Sequence, residues 1–286
     1  MAALPVLGAT SFLTLVGAMF RLQLQRSLPL RLAAGPAGPI RRAQPRAQRA
    51  STAAAAKACL VVGGSGALGR AAVTGFSRAG WHCTSVDFSA NDEAAGGTVL
   101  LREGEAFADS SRRVLEELRA ASDGGFGAVV HAGGGWAGSD PGDDGFPESL
   151  EFLWDVNVKS AALAAHVAGD MLLPGGTLTL TGAAAAVGDG GTAGMAAYGM
   201  TKAATHHLMD SMRNTLQDGA SVHTILPMTI ATPANIEAMP DADTSSWTDP
   251  ADIATAVVGW AEGKSPPANG AYVEMTTEGG STSFTY

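Results

Sequence analysis

No aspartate or glutamate occurs in the first 56 residues of this 286-residue chain, although 27 acids follow. The same 56 residues hold seven arginines: Arg21, Arg26, Arg31, Arg41, Arg42, Arg46 and Arg49. Of 18 Lys and Arg, 11 remain to face those 27 acids, so the body carries a net charge of −16. A body so acidic excludes gripping nucleic acid, which needs a basic face. Cysteine is nearly absent. Cys59 and Cys83 allow no disulfide framework, and neither they nor the six histidines show metal-ligand spacing, so no metal is expected. Both cysteines lie in apolar runs and read as small buried hydrophobes. The His206–His207 doublet cannot present both rings on one helical face. A long unbroken hydrophobic run is also missing: Met1–Phe20 is uncharged but interrupted by Pro5, Gly8 and Gly17, which argues against a permanent membrane anchor.

What the head does contain is an apolar stretch, "SFLTLVGAM", followed by an Arg-, Pro- and Ala-rich tract. That order reads as a targeting segment over residues 1–56, signal-like first and transit-like afterwards. It is similar to the two-part address of proteins sent to plastids of secondary origin. A mitochondrial presequence is the alternative, with little early Arg to support it, and a disordered cytoplasmic extension is a third reading. The expected domains are therefore a leader, 1–56, and a body, 57–286.

From Ala58 on, short β-like runs alternate with helical patterns, the signature of a parallel sheet covered by helices. Strands are expected at 58–62, 82–87, 98–101, 126–132, 176–182, 221–227 and 271–277. Helices are expected from the first Gly-rich turn to about Ala79, and over 109–121, 147–171, 198–216 and 250–261. The predicted fold class is α/β: a single doubly wound, Rossmann-like domain with a parallel sheet of about seven strands.

The turn after the first strand lacks G-K-[ST], which excludes a P-loop. It has instead "GGSGALG", residues Gly63, Gly64, Ser65, Gly66, Ala67, Leu68 and Gly69, which contains G-x-G-x-x-G between a strand and a helix. Glycines let the backbone approach a pyrophosphate, and the helix N-terminus adds free N–H groups and partial positive charge. Asp87 ends the second strand, 18 residues past Gly69. Its carboxylate can accept from both hydroxyls of an adenosine ribose and would repel a 2′-phosphate. No Lys or Arg in "DFSAND" offsets that repulsion, so NADH is expected over NADPH. An ordinary tight turn and a surface-capping Asp are the bland readings of the two features.

Tyr198 and Lys202 stand at i and i+4 of an expected helix, on one face. A nearby ammonium favours the phenolate and can lower a tyrosine pKa of ~10 by ~1–3 units. Hydroxyls are scarce upstream. Ala183 to Ala186 precede the Tyr, no Ser or Thr lies between Gly182 and Gly191, and Thr181 and Thr192 are the nearest. A donor to a developing oxyanion is worth roughly 2.7–4 kcal/mol. Either the site is dead, then, or its substrate has no carbonyl oxygen that needs one.

The glycine turn, Asn157 in "DVNVK", "YGMTK" and "LP" at 226–227 resemble the short-chain dehydrogenase/reductase family. That family usually places a Ser about where Ala185 stands. Further pieces are similar to its dihydropteridine reductase branch, which also lacks the Ser: "AGGGWAG" (132–138), "GMAAYGMTKAATHHL" (194–208), "LPMTIATPANIEAMPDADTSSWT" (226–248) and "TTEG" (276–279). The resemblance spans almost all of residues 58–280. It implies NADH-dependent reduction of quinonoid dihydropteridine to tetrahydropteridine, which needs a hydride and a proton but no alkoxide capture. It further implies that Tyr198 assists protonation while Lys202 tunes it and holds the nicotinamide ribose. The 63–69 turn and Gly133 would line the cofactor, and Asp87 the adenosine ribose. Asn157 would support the Lys through water, although the pteridine branch does not depend on it. Trp136, in the Gly-rich loop after the fourth strand, could stack on a flat bicyclic substrate or pack its loop down. Trp247 could cover the substrate or simply pack. A homodimer through the Ala-rich helices around 147–171 and 196–216 is the expected assembly. The alternatives are another short-chain reductase acting on a carbonyl and a non-catalytic dinucleotide sensor.

Overall fold

The computed structural model describes residues 57–122 and 124–286. The expected leader, 1–56, lies outside them. Elements run β1 (Ala58–Val62), α1 (Ala67–Arg78), β2 (His82–Asp87), β3 (Thr98–Leu100), α2 (Phe107–Ala121), β4 (Phe126–His131), α3 (Phe146–Leu153), α4 (Ser160–Met171), β5 (Leu172–Thr181), α5 (Ala196–Met212), β6 (Ser221–Leu226), α6 (Pro233–Ala238), α7 (Pro250–Ala261), β7 (Tyr272–Glu278) and β8 (Ser281–Thr285). A π-helical turn, Trp154–Lys159, joins α3 to α4, and a 3₁₀ turn, Ala184–Ala186, follows β5.

The sheet order is β3-β2-β1-β4-β5-β6-β7-β8, parallel throughout except for the β7–β8 pair. Alternate residues of each central strand enter opposite layers. Leu60, Val129 and Leu178 pack under Val114 and Leu118 of α2, Leu163 and Val167 of α4 and Met209 of α5. Cys59, Val61, Ala128 and Val130 face Val73 and Phe76 of α1 and Ile253, Val257 and Trp260 of α7. Burial on both faces is why β1 and β4 read as largely apolar runs. The chain switches direction across the sheet between β1 and β4, and the carboxyl ends of the strands at such a point form a crevice.

Three expectations change. The described residues form eight strands: β8 returns antiparallel after Gly279 and Gly280, whose φ of 57° and 77° make the two-residue turn that a tight hairpin needs. The single helix expected at 147–171 is two helices separated by the π-helical turn that carries Asn157. Helix α5 stops at Met212 rather than near Leu216. Cys59 and Cys83 are indeed buried, unbonded thiols; they face each other across β1 and β2 with sulfurs 2.9 Å apart.

Candidate active site

Gly63 leaves β1 with φ 85°, in the left-handed region. A methyl group there would lie 2.5 Å from the amide nitrogen of Gly133, so the loops after β1 and β4 touch at this point. Gly64 and Gly69 are equally constrained from within: methyl groups on them would sit 2.3 Å from Ser85 Oγ and 1.9 Å from the Gly63 carbonyl oxygen. Gly66 differs. Its nearest neighbour would be 3.6 Å away, the Gly63 carbonyl again, so nothing in the chain requires a bare backbone there. The open space lies at the N-cap of α1, where no side chain caps the helix and no acid occupies its first turn. Backbone N–H groups of Ala67, Leu68 and Gly69 begin that turn. These features fit a dinucleotide pyrophosphate.

Asp87 lies beside the turn. Its two carboxylate oxygens accept from the backbone N–H groups of Ser65 (2.8 Å) and Phe88 (2.7 Å), which fixes the group at the end of β2. The Ser65 hydroxyl donates to the Ser89 carbonyl at 2.6 Å. Asn91 was not legible as a site residue, yet its buried amide donates to the Gly64 carbonyl at 2.7 Å and ties the turn to the loop after β2.

The β4 loop continues from Gly133 toward the reacting end. A methyl group on Gly134 would be 3.0 Å from Asn157 Oδ1 and 3.3 Å from Lys202 Nζ. Asn157 is fully buried and holds Gly135 on both sides, accepting from its N–H at 2.9 Å and donating to its carbonyl at 3.2 Å. It also donates to Thr201 Oγ1 at 3.0 Å. Its side chain thus positions the loop that carries Trp136 and joins it to α5. Trp136 itself is 62% exposed, and its ring edge rests by Gly138, where a methyl group would come within 3.0 Å. Trp247 is the reverse: it is buried, and neighbouring Thr248 bridges to Ile230.

Tyr198 and Lys202 both rise from α5. Asp140, in the β4 loop, caps that helix from outside, accepting from Gly194 N–H (2.8 Å) and Ala196 N–H (3.2 Å). A carboxylate suits the positive end of a helix. Lys202 is 3% exposed and donates to the Thr181 carbonyl at 3.1 Å. Burial lowers its pKa to about 8. Its ammonium lies 5.8 Å from the centre of the Tyr198 ring. Burial raises the Tyr198 pKa to about 12, the opposite of the lowering expected from the lysine. Desolvation of the phenolate outweighs an ammonium at that range, so Tyr198 is a phenol at neutral pH with a proton to give.

The Lys202 anchor rests on His131. That ring accepts from Thr181 N–H at 3.3 Å, and the Thr181 hydroxyl donates to the His131 carbonyl at 2.6 Å. With Nδ1 accepting, Nε2 carries the proton and donates to Ser160 Oγ at 2.8 Å. Burial and the nearby Lys202 charge hold the His131 pKa at about 3, so the ring stays neutral. The Thr181 hydroxyl is therefore committed. Thr192 packs on α5, so close that a methyl group on Gly199 would sit 1.9 Å from its Oγ1. The Ala183–Ala186 stretch adds no hydroxyl.

The profile of the short chain dehydrogenase family matches residues 57–243. The chain belongs to the short-chain dehydrogenase/reductase family and is an oxidoreductase of the nicotinamide-dinucleotide type. It is 36% identical over 236 residues to a protein of Dictyostelium discoideum named dihydropteridine reductase, covering 80% of this chain and 98% of that one. Among solved structures, a short-chain dehydrogenase/reductase from Serratia marcescens superposes with a TM-score of 0.62 at 22% identity, over 79% of this chain and 98% of that one. A short chain dehydrogenase from Shigella flexneri, complexed with NADP, gives 0.63 at 18% identity, over 76% and 96%. At those identities the structural likeness shows the fold alone. Among the described residues, no helix is long and apolar enough to cross a membrane, and no group of three or more His, Cys, Asp or Glu could hold a metal ion.

Proposed function

We propose that the chain reduces quinonoid dihydropteridine to tetrahydropteridine with NADH. The observation that carries this reading is the hydroxyl-free wall beside Tyr198 and Lys202. Thr181 donates its hydroxyl proton to the His131 carbonyl, and the Ala183–Ala186 stretch has no hydroxyl, so the donor that a carbonyl reductase uses for its alkoxide is missing from that wall. A quinonoid ring needs one hydride and one proton. The likeness to the Dictyostelium protein points to the same chemistry.

A bound nicotinamide supplies the hydride. Lys202 uses one N–H on the Thr181 carbonyl and keeps the others for the nicotinamide ribose. Tyr198 Oη delivers the proton and regains one from solvent. Trp136 offers its exposed ring as a stacking platform for the flat substrate, a contact worth about 0.5–1.5 kcal/mol beyond area. Asp87, already oriented by Ser65 and Phe88, accepts from the adenosine ribose and disfavours a 2′-phosphate. Asn157 acts by holding Gly135 rather than by touching a reactant.

The same reading makes residues 1–56 an organellar leader, for plastid or mitochondrion, and 57–286 the catalytic domain. It also makes the chain a homodimer. Between α2, α4 and α5 lies an open groove of about 470 Å³ in which Leu115, Ala162, Ala165, Leu208 and Met212 lie beside the Arg119–Asp170 ion pair, a mixed face offered to a second copy.

The deciding assay follows NADH oxidation by the full chain with quinonoid dihydropteridine generated in situ by a peroxidase, beside Tyr198→Phe. Rapid turnover that drops in the variant supports both substrate and proton donor. Undiminished turnover in the variant keeps the substrate and removes the role of Tyr198. No turnover, with NADH still binding, sinks the pteridine reading and favours a carbonyl substrate or a sensor.

A further inference from the structure

His206 is the one buried histidine on the Tyr198–Lys202 face of α5, one helical turn beyond Lys202 and two beyond Tyr198, and the mechanism above leaves it unused. It is 7% exposed. Its Nε2 accepts from the Ala183 N–H at 3.2 Å. The ring lies so close to the chain at Gly182 that a methyl group there would be 2.3 Å from Nε2. With Nε2 accepting, the neutral ring carries its proton on Nδ1. The imidazole therefore holds the backbone at the start of the alanine turn.

Little else supports the turn from that side. A groove of about 290 Å³, lined by Ala186, Val187, Gly188, His206, His207 and Tyr272 among others, lies behind it. Within the turn the backbone makes only short-range bonds, Ala186 N–H to Ala183 O (3.1 Å) and Val187 N–H to Ala184 O (3.1 Å), plus one longer bond from Ala184 N–H to Pro227 O (3.3 Å). The ring is held in its turn by Tyr272, edge to face at 5.3 Å, whose hydroxyl donates to Asp210 at 3.1 Å.

We propose that His206 is a positioning residue for the substrate: by holding the Ala183 N–H, it fixes the start of the 183–186 turn, the hydroxyl-free wall against which the pteridine ring lies. The inference rests on the function proposed above. It assigns His206 to substrate fit rather than to cofactor binding or proton transfer, since Nε2 is engaged with the backbone of that turn. A neutral glutamine side chain also presents one acceptor and one donor, and so can replace the imidazole in kind.

The test compares the full chain with His206→Leu and His206→Gln in the quinonoid dihydropteridine assay. KM for the pteridine, kcat, the NADH dissociation constant from protein fluorescence and the unfolding midpoint are measured for each. The expected result is a KM raised at least tenfold in His206→Leu, an NADH dissociation constant within twofold of the parent, and recovery of KM to within threefold in His206→Gln. An unchanged KM in His206→Leu overturns the proposal. So does a parallel loss of NADH and pteridine binding that glutamine does not rescue, which would mark a purely structural histidine. If His206→Leu does not fold, His206→Gln alone decides: a parent-like KM supports the proposal and a KM raised tenfold overturns it. No turnover by the parent chain overturns the function itself, and this inference with it.

Discussion

Gly63 and Gly133 meet so closely that a single methyl group on Gly63 would come within 2.5 Å of the Gly133 amide nitrogen. This contact closes the switch point of the sheet, joining the Gly63–Gly69 turn, proposed to face a pyrophosphate, to the loop that carries Trp136. Gly66, three residues on, has no such neighbour.

The two glycines should therefore fail differently. Gly63→Ala combines a positive φ with a backbone collision and is expected to cost about 1–3 kcal/mol of stability along with NADH affinity. Gly66→Ala should leave the unfolding midpoint nearly unchanged and weaken NADH binding at least tenfold. Thermal melts with and without NADH check both, and a Gly66→Ala protein that binds NADH normally would remove the pyrophosphate from that turn.

Lys202 is an ammonium only below its lowered pKa of about 8. NADH affinity should accordingly weaken as pH rises through about 8, because the charge that faces the ribose is lost. Lys202→Met should show weaker binding at neutral pH and no change over the same range. Fluorescence titrations at several pH values between about 7 and 9.5 decide this; equal slopes in the two proteins would assign the titration elsewhere.

His131, His206 and His223 are held neutral in the fold, with pKa values lowered to about 3, 4 and 4, chiefly by burial. Unfolded, each would titrate near ~6.5. Between those values the unfolded chain binds more protons than the folded one, so stability rises with pH there. The contribution is fully present above about 6.5 and is lost as pH falls toward 3–4. The unfolding midpoint should fall by on the order of 10 °C from pH 7 to pH 4. The triple replacement His131→Gln, His206→Gln, His223→Gln should flatten that slope.

Trp136→Ala should raise KM for quinonoid dihydropteridine about three- to tenfold, in line with the loss of one aromatic stack, and leave the NADH dissociation constant and the fold intact because the ring is exposed. An unchanged KM would show that the exposed ring is no platform. Trp247→Ala, by contrast, removes a buried ring and should cost about 3–5 kcal/mol of stability.

Much of this molecule was legible before any coordinates. The strands β1 and β4 are largely apolar runs because they are buried on both faces. The glycine turn, Asp87 at the end of its strand and the Tyr198–Lys202 spacing are local patterns, readable from neighbouring residues along the chain. The missing hydroxyl at 183–186 was equally plain. What only the tertiary structure decided were contacts between residues far apart in sequence. Asn157 grips Gly135 across 22 residues, and Asp140 caps α5 from 54 residues away. His131 steadies Thr181 across 50 residues, and Thr181 anchors Lys202. The sign of the Tyr198 shift belongs to the same class: spacing places the lysine on its face, but the depth of burial determines that desolvation outweighs the ammonium. Periodicity encodes which face of an element turns inward, whereas strand order and loop paths determine which polar groups then meet, and those meetings make the site.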